Sequence, residues 1–230
     1  MEYTSNIPFC HELDLSTHPV FTGCRDEARA ILMASLACME RHEGDYFFKE
    51  SDTVLGIYCI TSGIIKLTRR SGVHDHIVGF LKGGDILGID AVMMQSAHHT
   101  VSAMAMNSTR GYFINRDNFL KATTADPMLN IRLMQSVCEQ INRLEEHITV
   151  MANKPLPQRL AQIFLMLLGD TPKETPLEVS FQDTELANYA RSSGPMIKKI
   201  LQDFSRKDII SLHGNIIRMT NPELLRQVAV

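Results

Sequence analysis

The sequence predicts an α+β protein with a β-barrel first, then a long helix, then a winged helix-turn-helix. Three observations predict this fold class. Short β-prone runs punctuated by glycine fill residues 43–118. An apolar stripe at helical spacing follows at 134–151, and residues 156–219 read as helix, strand, helix, turn, helix and β-hairpin. The predicted domains are a barrel at 1–125, a helix at 126–153 and a winged domain at 154–230.

The barrel is predicted from short strands that alternate with glycine turns. Runs such as 57–60 and 64–68 are rich in β-branched and aromatic residues, and turn signals such as Gly63 and 83–85 separate them. Glycine supplies the positive φ that tight turns need. Many short strands at regular spacing are typical of a β-sandwich or barrel. Residues 25–41, ahead of these strands, are predicted as a helix from their apolar periodicity.

A narrow apolar seam predicts a long helix that pairs with another helix. Its members recur at spacings of 3, 4, 3, 4 and 3, and they are Met134, Val137, Ile141, Leu144, Ile148 and Met151. This a/d heptad pattern is narrower than the apolar face of a helix that packs on a globular core. Pro127 suits the first turn of such a helix. We expect the seam to form a homodimer interface, with packing on the chain's own domain as the alternative.

Prolines 155 and 157 interrupt this helical pattern and place a hinge between two domains. The elements predicted after the hinge are a helix at 156–168, a loop at 169–176, a strand at 177–181, helices at 183–190 and 194–206, and a β-hairpin that turns at 213–215. Ser193 is expected to cap the second helix of the pair, and Pro195 fits its first turn. This order of elements is that of a winged helix-turn-helix.

Basic charge is concentrated on the proposed recognition segment. The whole chain has a formal net charge of −3, but residues 191–218 hold six Lys/Arg and two Asp/Glu, a net of +4. The second helix of such a motif enters the major groove, and lysine and arginine displace phosphate counterions. We therefore expect double-stranded DNA to be a partner, contacted by Arg191, Ser192, Ser193, Lys198, Lys199, Arg206, Lys207 and Arg218.

Composition and motifs argue against several other classes. With 44% hydrophobic residues the chain is foldable and not disordered. Its apolar runs fall short of the roughly 18 residues that span a bilayer, and its first residues do not read as a secretory signal, so we expect a cytoplasmic protein without a membrane partner. The five cysteines form no C-x-x-C pair and are expected to be reduced thiols. The sequence has no H-E-x-x-H, G-x-S-x-G or P-loop motif, so we expect no enzymatic activity.

Taken in order, these segments resemble the CRP/FNR family of bacterial transcription regulators, named after the cyclic-AMP receptor protein and the fumarate–nitrate reduction regulator. Segments 58–66 and 78–91 resemble the family's cyclic-nucleotide-binding-like β-barrel, a double-stranded β-helix, and 78–91 is closest to the FNR branch. The seam matches its dimer helix, and 186–210 matches its helix-turn-helix. The resemblance implies a homodimer that senses an effector in its barrel, binds a pseudo-palindromic operator and contacts RNA polymerase.

The resemblance places an effector pocket at Ile89, Asp90, His99 and Thr100. The family binds cyclic nucleotides with a carboxylate for the ribose hydroxyl and an arginine for the phosphate, in a Gly-Glu…Arg-Thr/Ser-Ala pattern. Here Ile89 follows Gly88, and His99 stands before Thr100. Asp90 stands one residue after the position of the family's carboxylate, and on a strand a shift of one residue turns the side chain to the opposite face. A neutral imidazole is a poor substitute for a bidentate phosphate clamp, so we expect that cyclic AMP is not the ligand.

An FNR-type iron–sulfur cluster is also not expected. Such a cluster needs grouped N-terminal cysteines and one cysteine on a barrel strand. Cys10, Cys24 and Cys38 are spaced 14 residues apart, and Gly111 stands where the barrel cysteine belongs. Cys59 lies in an apolar run and is expected to be a core residue.

We predict no metal site, and two pairs of histidines are the candidates for haem ligands. His74 and His76 could share one strand face, and His98 and His99 are adjacent. The family's haem ligands are not recognisable here. Because Gly72 predicts a turn before the first pair, its simpler interpretation is a pair of exposed hairpin histidines.

The recognition segment also departs from the family pattern. Pro195, Lys198 and Lys199 occupy the positions of a frequent Glu-x-x-Ser-Arg motif, and Arg191 replaces the usual turn glycine. Lysine donates to guanine or phosphate as a flexible point charge, so the family's consensus operator cannot be carried over.

The sequence thus predicts a homodimeric DNA-binding regulator, and several alternatives stay open. One is a redox, haem or metal sensor that uses cysteine or histidine. Another is a family member without an effector that is controlled by its abundance. An enzyme with an accessory DNA domain and a pure protein-interaction module are the remaining classes, and the net charge of +4 on 191–218 disfavours the last.

Overall fold

The computed structural model describes residues 15–72, 74–169, 177–181 and 183–230. Their contacts divide the chain into two compact units, with the boundary in the long helix between Asn142 and Arg143. The first unit holds most of the barrel. The second holds residues 70–79 and everything after Arg143.

The barrel consists of two four-stranded antiparallel sheets. One has the order β1-β8-β3-β6 and the other β2-β7-β4-β5. The strands are β1 (Ala37–Arg41), β2 (Tyr46–Phe48), β3 (Gly56–Ser62), β4 (Ile64–Ser71), β5 (His74–Lys82), β6 (Ile86–Leu87), β7 (Ser102–Ala105) and β8 (Thr109–Asn115). The prediction of many short strands over 43–118 is therefore confirmed.

Strand β3 shows why this region reads as a nearly continuous apolar run. Ile57 and Cys59 point to a cluster shared with helices and the chain's first described segment, whereas Tyr58 and Ile60 point to the barrel interior. Neighbouring residues of a strand face opposite sides, so a strand with both faces covered needs apolar residues at every position. Cys59 is fully buried, as expected of a core residue.

The helix predicted at 25–41 was wrong in its second half. Helix α1 ends at Met33, and Ala37–Arg41 forms β1. Strand β1 pairs antiparallel with β8 from Ala37 opposite Phe113 to Arg41 opposite Thr109. The backbone hydrogen bonds of β8 are satisfied by this pairing, and that tertiary gain outweighs a modest local helical preference.

Three further helices lie between or after these strands. They are α2 (Ile89–Met93), between β6 and β7, and α3 (Arg116–Ala125) and α4 (Pro127–Asn153), both after β8. Asp126, between α3 and α4, is fully buried and accepts a hydrogen bond from the backbone N–H of Arg25 at 3.2 Å. Its carboxylate also binds the Arg132 guanidinium at 3.2 Å, so a paired buried charge anchors the start of α4.

The second unit has the predicted winged architecture with one helix added. Its elements are α5 (Leu156–Leu168), β9 (Glu178–Ser180), α6 (Asp183–Tyr189), α7 (Gly194–Arg206), β10 (Ile210–His213), β11 (Ile216–Met219) and α8 (Pro222–Ala229). Strand β11 pairs with both β10 and β9. The predicted loop at 169–176 lies, except for Gly169, outside the described residues. No helix among the described residues is long and apolar enough to cross a membrane.

Helix α8 was missed, although its start carries a local signal. The Asn221 side chain accepts a hydrogen bond from the Leu224 N–H at 3.1 Å, and Pro222 stands in the first turn. Asparagine at the N-cap and proline at the next position are typical of helix starts. The Lys154 ammonium donates to the Ala229 carbonyl at 2.7 Å and ties the end of α8 to the link between α4 and α5.

Candidate nucleic-acid interface

Helices α6 and α7 pack through small and apolar side chains. Ala187 of the first helix and Ala190 directly after it are buried, as are Ile197, Leu201 and Phe204 of the second helix. Alanine lets the two helix axes approach closely, and the apolar face of α7 recurs at helical spacing. The opposite face of α7 is left exposed, so its orientation follows from the packing of its buried face.

The turn between the two helices is a Schellman motif with an arginine in the left-handed position. The Ser192 N–H donates to the Ala187 carbonyl at 2.8 Å, and the Arg191 N–H donates to the Asn188 carbonyl at 3.1 Å. Arg191 has φ 50, a conformation that glycine usually adopts. An arginine therefore takes the position in this turn that glycine usually holds, and its side chain is exposed.

Ser193 occupies the N-cap position of α7, but its side chain makes no capping hydrogen bond. The expectation that its hydroxyl caps the helix was therefore wrong. Pro195 stands in the first turn as predicted. The Ser193 hydroxyl, exposed at the start of α7, is consequently not committed to that cap.

The eight basic and polar residues predicted to contact DNA fall into two groups. Arg191, Ser193, Lys198 and Lys199 lie exposed on the turn and the first half of α7, with Ser192 half-buried beside them. The others lie towards the far end of α7 and on the hairpin.

In the second group, two of the three positive charges have an acidic neighbour. Arg206 pairs with Asp203 one turn back, and Lys207 is exposed at the C-cap of α7. The Arg218 Nε lies 3.4 Å from the Glu178 carboxylate across the β11–β9 pair. We define the candidate interface as residues 191–199, the turn and the first half of α7.

One arginine near this interface was not predicted from sequence. The Arg159 guanidinium of α5 donates to the Arg191 carbonyl at 3.4 Å. Arg159 and Arg191 are 32 residues apart, so no local pattern signals the contact. The hydrogen bond ties the first helix of the winged unit to the turn that presents Arg191.

The seam of α4 is exposed along most of its length. Its first five members are each between 38% and 60% exposed, and they are Met134, Val137, Ile141, Leu144 and Ile148. Met151 differs, because it is only 5% exposed and is buried in its own chain. We therefore remove Met151 from the predicted interface.

The four residues predicted to form an effector pocket are not exposed together on one surface. Ile89 is buried in an apolar cluster, whereas Asp90 and Thr100 are exposed. Asp90 lies in α2, so the strand argument made for its direction was wrong. His99 is buried, and burial lowers the pKa of its imidazole despite the charges of Asp90 and Asp52.

Apolar and aromatic side chains pack between the two barrel sheets. The cluster there draws on every barrel strand and comprises Met39, Phe47, Phe48, Tyr58, Ile60, Ile65, Leu81, Leu87, Ala103, Ala105 and Phe113. The imidazole of His99 stacks on Phe48. Side chains packed in this way form a hydrophobic core that stabilises the barrel.

Cofactor ligands are not brought together in the part of the chain that the structure describes. No group of three or more His, Cys, Asp or Glu there is placed to hold a metal ion. His76 and His98 are exposed, and the side chain of His74 lies outside the described set, as does Cys10. Gly111 leaves no space for a cysteine, because a Cβ there would lie 2.2 Å from the Cys59 carbonyl oxygen.

The cysteines differ in their oxidation state. Cys24, Cys59 and Cys138 are free thiols. Cys38, buried in β1, is disulfide-bonded, so the expectation of reduced thiols throughout was wrong for this residue. Burial raises the pKa of the Cys59 thiol well above its ordinary value, which makes it a poor nucleophile.

Comparison with known proteins agrees with both units. Residues 39–126 match the family described as cyclic nucleotide-binding domain, and residues 158–228 match the Crp-like helix-turn-helix domain. The fumarate and nitrate reduction regulatory protein of Yersinia pestis is 27% identical over 81% of this chain and 76% of its own length. The HTH-type transcriptional regulator Cmr of Mycobacterium tuberculosis is 25% identical over 88% of this chain and 80% of its own.

Solved structures share the fold at low sequence identity. FixK2 from Bradyrhizobium japonicum superposes with a TM-score of 0.66 at 15% identity, over 85% of this chain and 98% of that one. A transcriptional regulator of the CRP/FNR family from Thermus thermophilus superposes with a TM-score of 0.65 at 18% identity, over 84% and 97% of the two chains.

Proposed function

The chain belongs to the CRP/FNR family of DNA-binding transcription regulators, and we propose that it acts as a homodimer on a pseudo-palindromic operator without responding to cyclic AMP. The relatives named above are themselves regulatory proteins. RNA polymerase is the further partner that we propose, since a regulator bound beside a promoter acts through it. We also propose that the protein acts in the cytoplasm, where DNA and RNA polymerase are found.

One observation carries the proposal of sequence-specific DNA binding. The exposed basic surface begins at Arg191 in the turn and continues to Lys198 and Lys199, one turn into α7, whose other face packs on α6. A recognition helix enters the major groove with its N-terminal residues. Lysines at these positions reach base edges or phosphates, and their charge gives the binding its salt dependence.

The proposed homodimer rests on the exposed seam of α4. Five large apolar side chains are between 38% and 60% exposed at a/d spacing on one helix. Removing such a stripe from water is favourable, and two copies of the helix do so symmetrically. Two-fold symmetry then presents two copies of α7 to half-sites about one helical turn apart.

Our second candidate mode of control is one that does not depend on a small-molecule effector, and the apolar packing between the barrel sheets supports it. Phe47, Phe48, Tyr58 and Phe113 occupy the space between the two sheets. Control by abundance requires no pocket there. A haem or metal sensor is not favoured by any cluster of ligands among the described residues.

The test is DNA binding by the full chain. Footprints of the protein on its own genome identify an operator, and a mobility-shift titration compares the parent with the double variant Lys198→Ala/Lys199→Ala. We expect at least tenfold weaker binding and a salt slope reduced by about 2, since each phosphate contact contributes about 0.9 to the slope. Unchanged binding would overturn the assignment of α7.

A matched control separates this effect from a change in net charge. Arg69 and Lys121 are both exposed and lie on β4 and α3, within the first unit. The variant Arg69→Ala/Lys121→Ala removes the same two charges. We expect its operator affinity to stay within twofold of the parent.

A further inference from the structure

An aromatic stack connects the dimer helix to the helix-turn-helix. The imidazole of His147, on α4, lies against the ring of Tyr189, the last residue of α6. The ring centroids are 4.3 Å apart and the planes are 15° from parallel. Tyr189 is 8% exposed and His147 is half-buried, so the stack is shielded from water on most sides.

The same contact reaches the turn that presents Arg191. Tyr189 is two residues before Arg191, whose left-handed backbone closes the Schellman motif. The Arg191 carbonyl accepts a hydrogen bond from Arg159 of α5 at 3.4 Å. Burial and then the charge of Arg191 lower the pKa of His147, so its ring is neutral at neutral pH. Helices α4, α5 and α6 thus meet where the basic surface begins.

His147 also stands beside the exposed seam. Leu144, three residues earlier, is 47% exposed, and Ile148, the next residue, is 59% exposed. With 3.6 residues per turn, His147 lies about 60° around the helix from Leu144. One turn of α4 therefore offers apolar side chains to a second copy and an aromatic ring to Tyr189.

We propose that His147 is a positioning residue that transmits the orientation of the α4 dimer helix to the helix-turn-helix through Tyr189. The inference rests on the proposed function and deepens it. A rotation or shift of α4 at the seam displaces the imidazole, and Tyr189 and the Arg191 turn move with it. The spacing and angle of the two copies of α7 then depend on the stack. Aromatic pairs of this kind shift an equilibrium by a factor of roughly 2 to 12.

The test compares two full-length variants on operator DNA and on non-specific DNA. His147→Ala removes the ring, whereas His147→Phe keeps a flat ring that can stack. We expect His147→Ala to bind the operator three- to tenfold more weakly, with non-specific binding and dimerisation unchanged. His147→Phe should bind within twofold of the parent. Rescue by a ring, and loss confined to the operator, distinguish positioning from a general loss of structure.

A second measurement reads the geometry directly. Operators whose half-sites are moved together or apart by one base pair are titrated with each variant. If the stack sets the orientation of α7, His147→Ala should discriminate less between these spacings than the parent and His147→Phe do. Should His147→Ala fail to fold, His147→Gln, which is polar and also lacks a ring, takes its place in both measurements.

The outcomes separate this inference from the proposed function. A parent protein that binds no DNA overturns the function. A parent that binds, together with a ringless variant of equal operator affinity and equal spacing preference, overturns only the role of His147. Equal losses in His147→Ala and His147→Phe also overturn it, because the ring would then not be the operative feature.

Discussion

The imidazole of His99 lies face to face with the ring of Phe48, with centroids 3.5 Å apart and planes 7° from parallel. His99 is 5% exposed, and its backbone is held by the Ser51 N–H at 2.8 Å and the Asp52 carbonyl at 2.9 Å. The position at which cyclic-nucleotide-binding relatives are expected to carry an arginine therefore holds a buried, stacked imidazole.

This stack predicts that cyclic AMP does not bind. Burial lowers the pKa of His99, so at neutral pH the ring carries no positive charge for a phosphate. Titration calorimetry of the full chain should give no saturable heat. His99→Arg should not create binding either, and should lower the free energy of unfolding by about 3 kcal/mol, because it places a guanidinium against the buried Phe48 ring. Saturable binding by the parent would contradict the prediction.

Arg191→Gly should raise the stability of the protein and lower its affinity for DNA. A non-glycine residue at φ 50 is disfavoured, and glycine relieves that cost. We expect the free energy of unfolding to rise by about 0.5–1 kcal/mol in a urea titration. Operator affinity should fall at the same time, because the charge of the side chain is lost.

Arg191→Ala is the matched control for this pair of effects. It loses the charge but keeps the disfavoured backbone, so it should weaken DNA binding without gaining stability. If both variants bound the operator as the parent does, Arg191 would not belong to the interface.

A charge placed in the seam of α4 should prevent self-association. Leu144 is 47% exposed in the single chain and is expected to be buried in the dimer. Leu144→Glu should raise the dissociation constant of the dimer by roughly 100-fold, since an unpaired carboxylate is costly to desolvate. Sedimentation velocity over a concentration series measures the change. Asn142→Glu adds the same charge on the exposed side of the same helix and should leave the dimer intact.

His18 should make the stability of the barrel unit depend on pH. It is 2% exposed, its Nδ1 accepts a hydrogen bond from the Val20 N–H at 3.4 Å, and its ring lies edge-on to Tyr112. Burial, offset only in part by Asp85, lowers the pKa of His18 to about 4. Between pH 6.5 and 4 the unfolded chain binds the proton more readily than the folded one.

The contribution of neutral His18 to the free energy of unfolding should therefore be complete above pH 6.5. It should fall by about 3 kcal/mol as the pH drops to 4. Denaturant titrations of the parent and of His18→Phe across this range measure the difference. The phenylalanine variant keeps an aromatic ring between Phe21 and Tyr112 but cannot titrate. A parent and variant with the same pH slope would show that His18 is not the group responsible.

Gly111→Ala should destabilise the barrel unit by about 3 kcal/mol, because its Cβ would lie 2.2 Å from the Cys59 carbonyl oxygen and the β3–β8 pairing would have to open. Gly79→Ala is the control, since among the described residues other than its two chain neighbours no atom lies within 4 Å of the corresponding Cβ. We expect that control to be neutral or slightly stabilising. Similar unfolding midpoints for the two variants would argue against the close backbone approach at Gly111.

Elements with strong local punctuation were predicted almost to the residue. Helix α5 runs over Leu156–Leu168 and α7 over Gly194–Arg206, as expected from prolines at their starts and apolar periodicity within them. Helix α4 begins at Pro127 for the same reason. These signals act within one or two turns of the chain, so they are readable without knowledge of the fold.

Features that depend on partners distant in sequence were not predictable in this way. Ala37–Arg41 became a strand because β8 lies alongside it, and Met151 left the seam because it is buried within its own chain. The contact of Arg159 with Arg191 and the stack of His147 on Tyr189 join residues 32 and 42 positions apart.

Residue types and their periodicity thus predicted the family, the order of the helices and strands, the exposed basic residues of α7 and the narrow seam, because each depends on local pattern. The packed barrel interior, the neutral His99 and the aromatic link at His147 followed from three-dimensional packing. Burial and ring contacts are properties of side chains brought together from separate elements, and no local pattern encodes them.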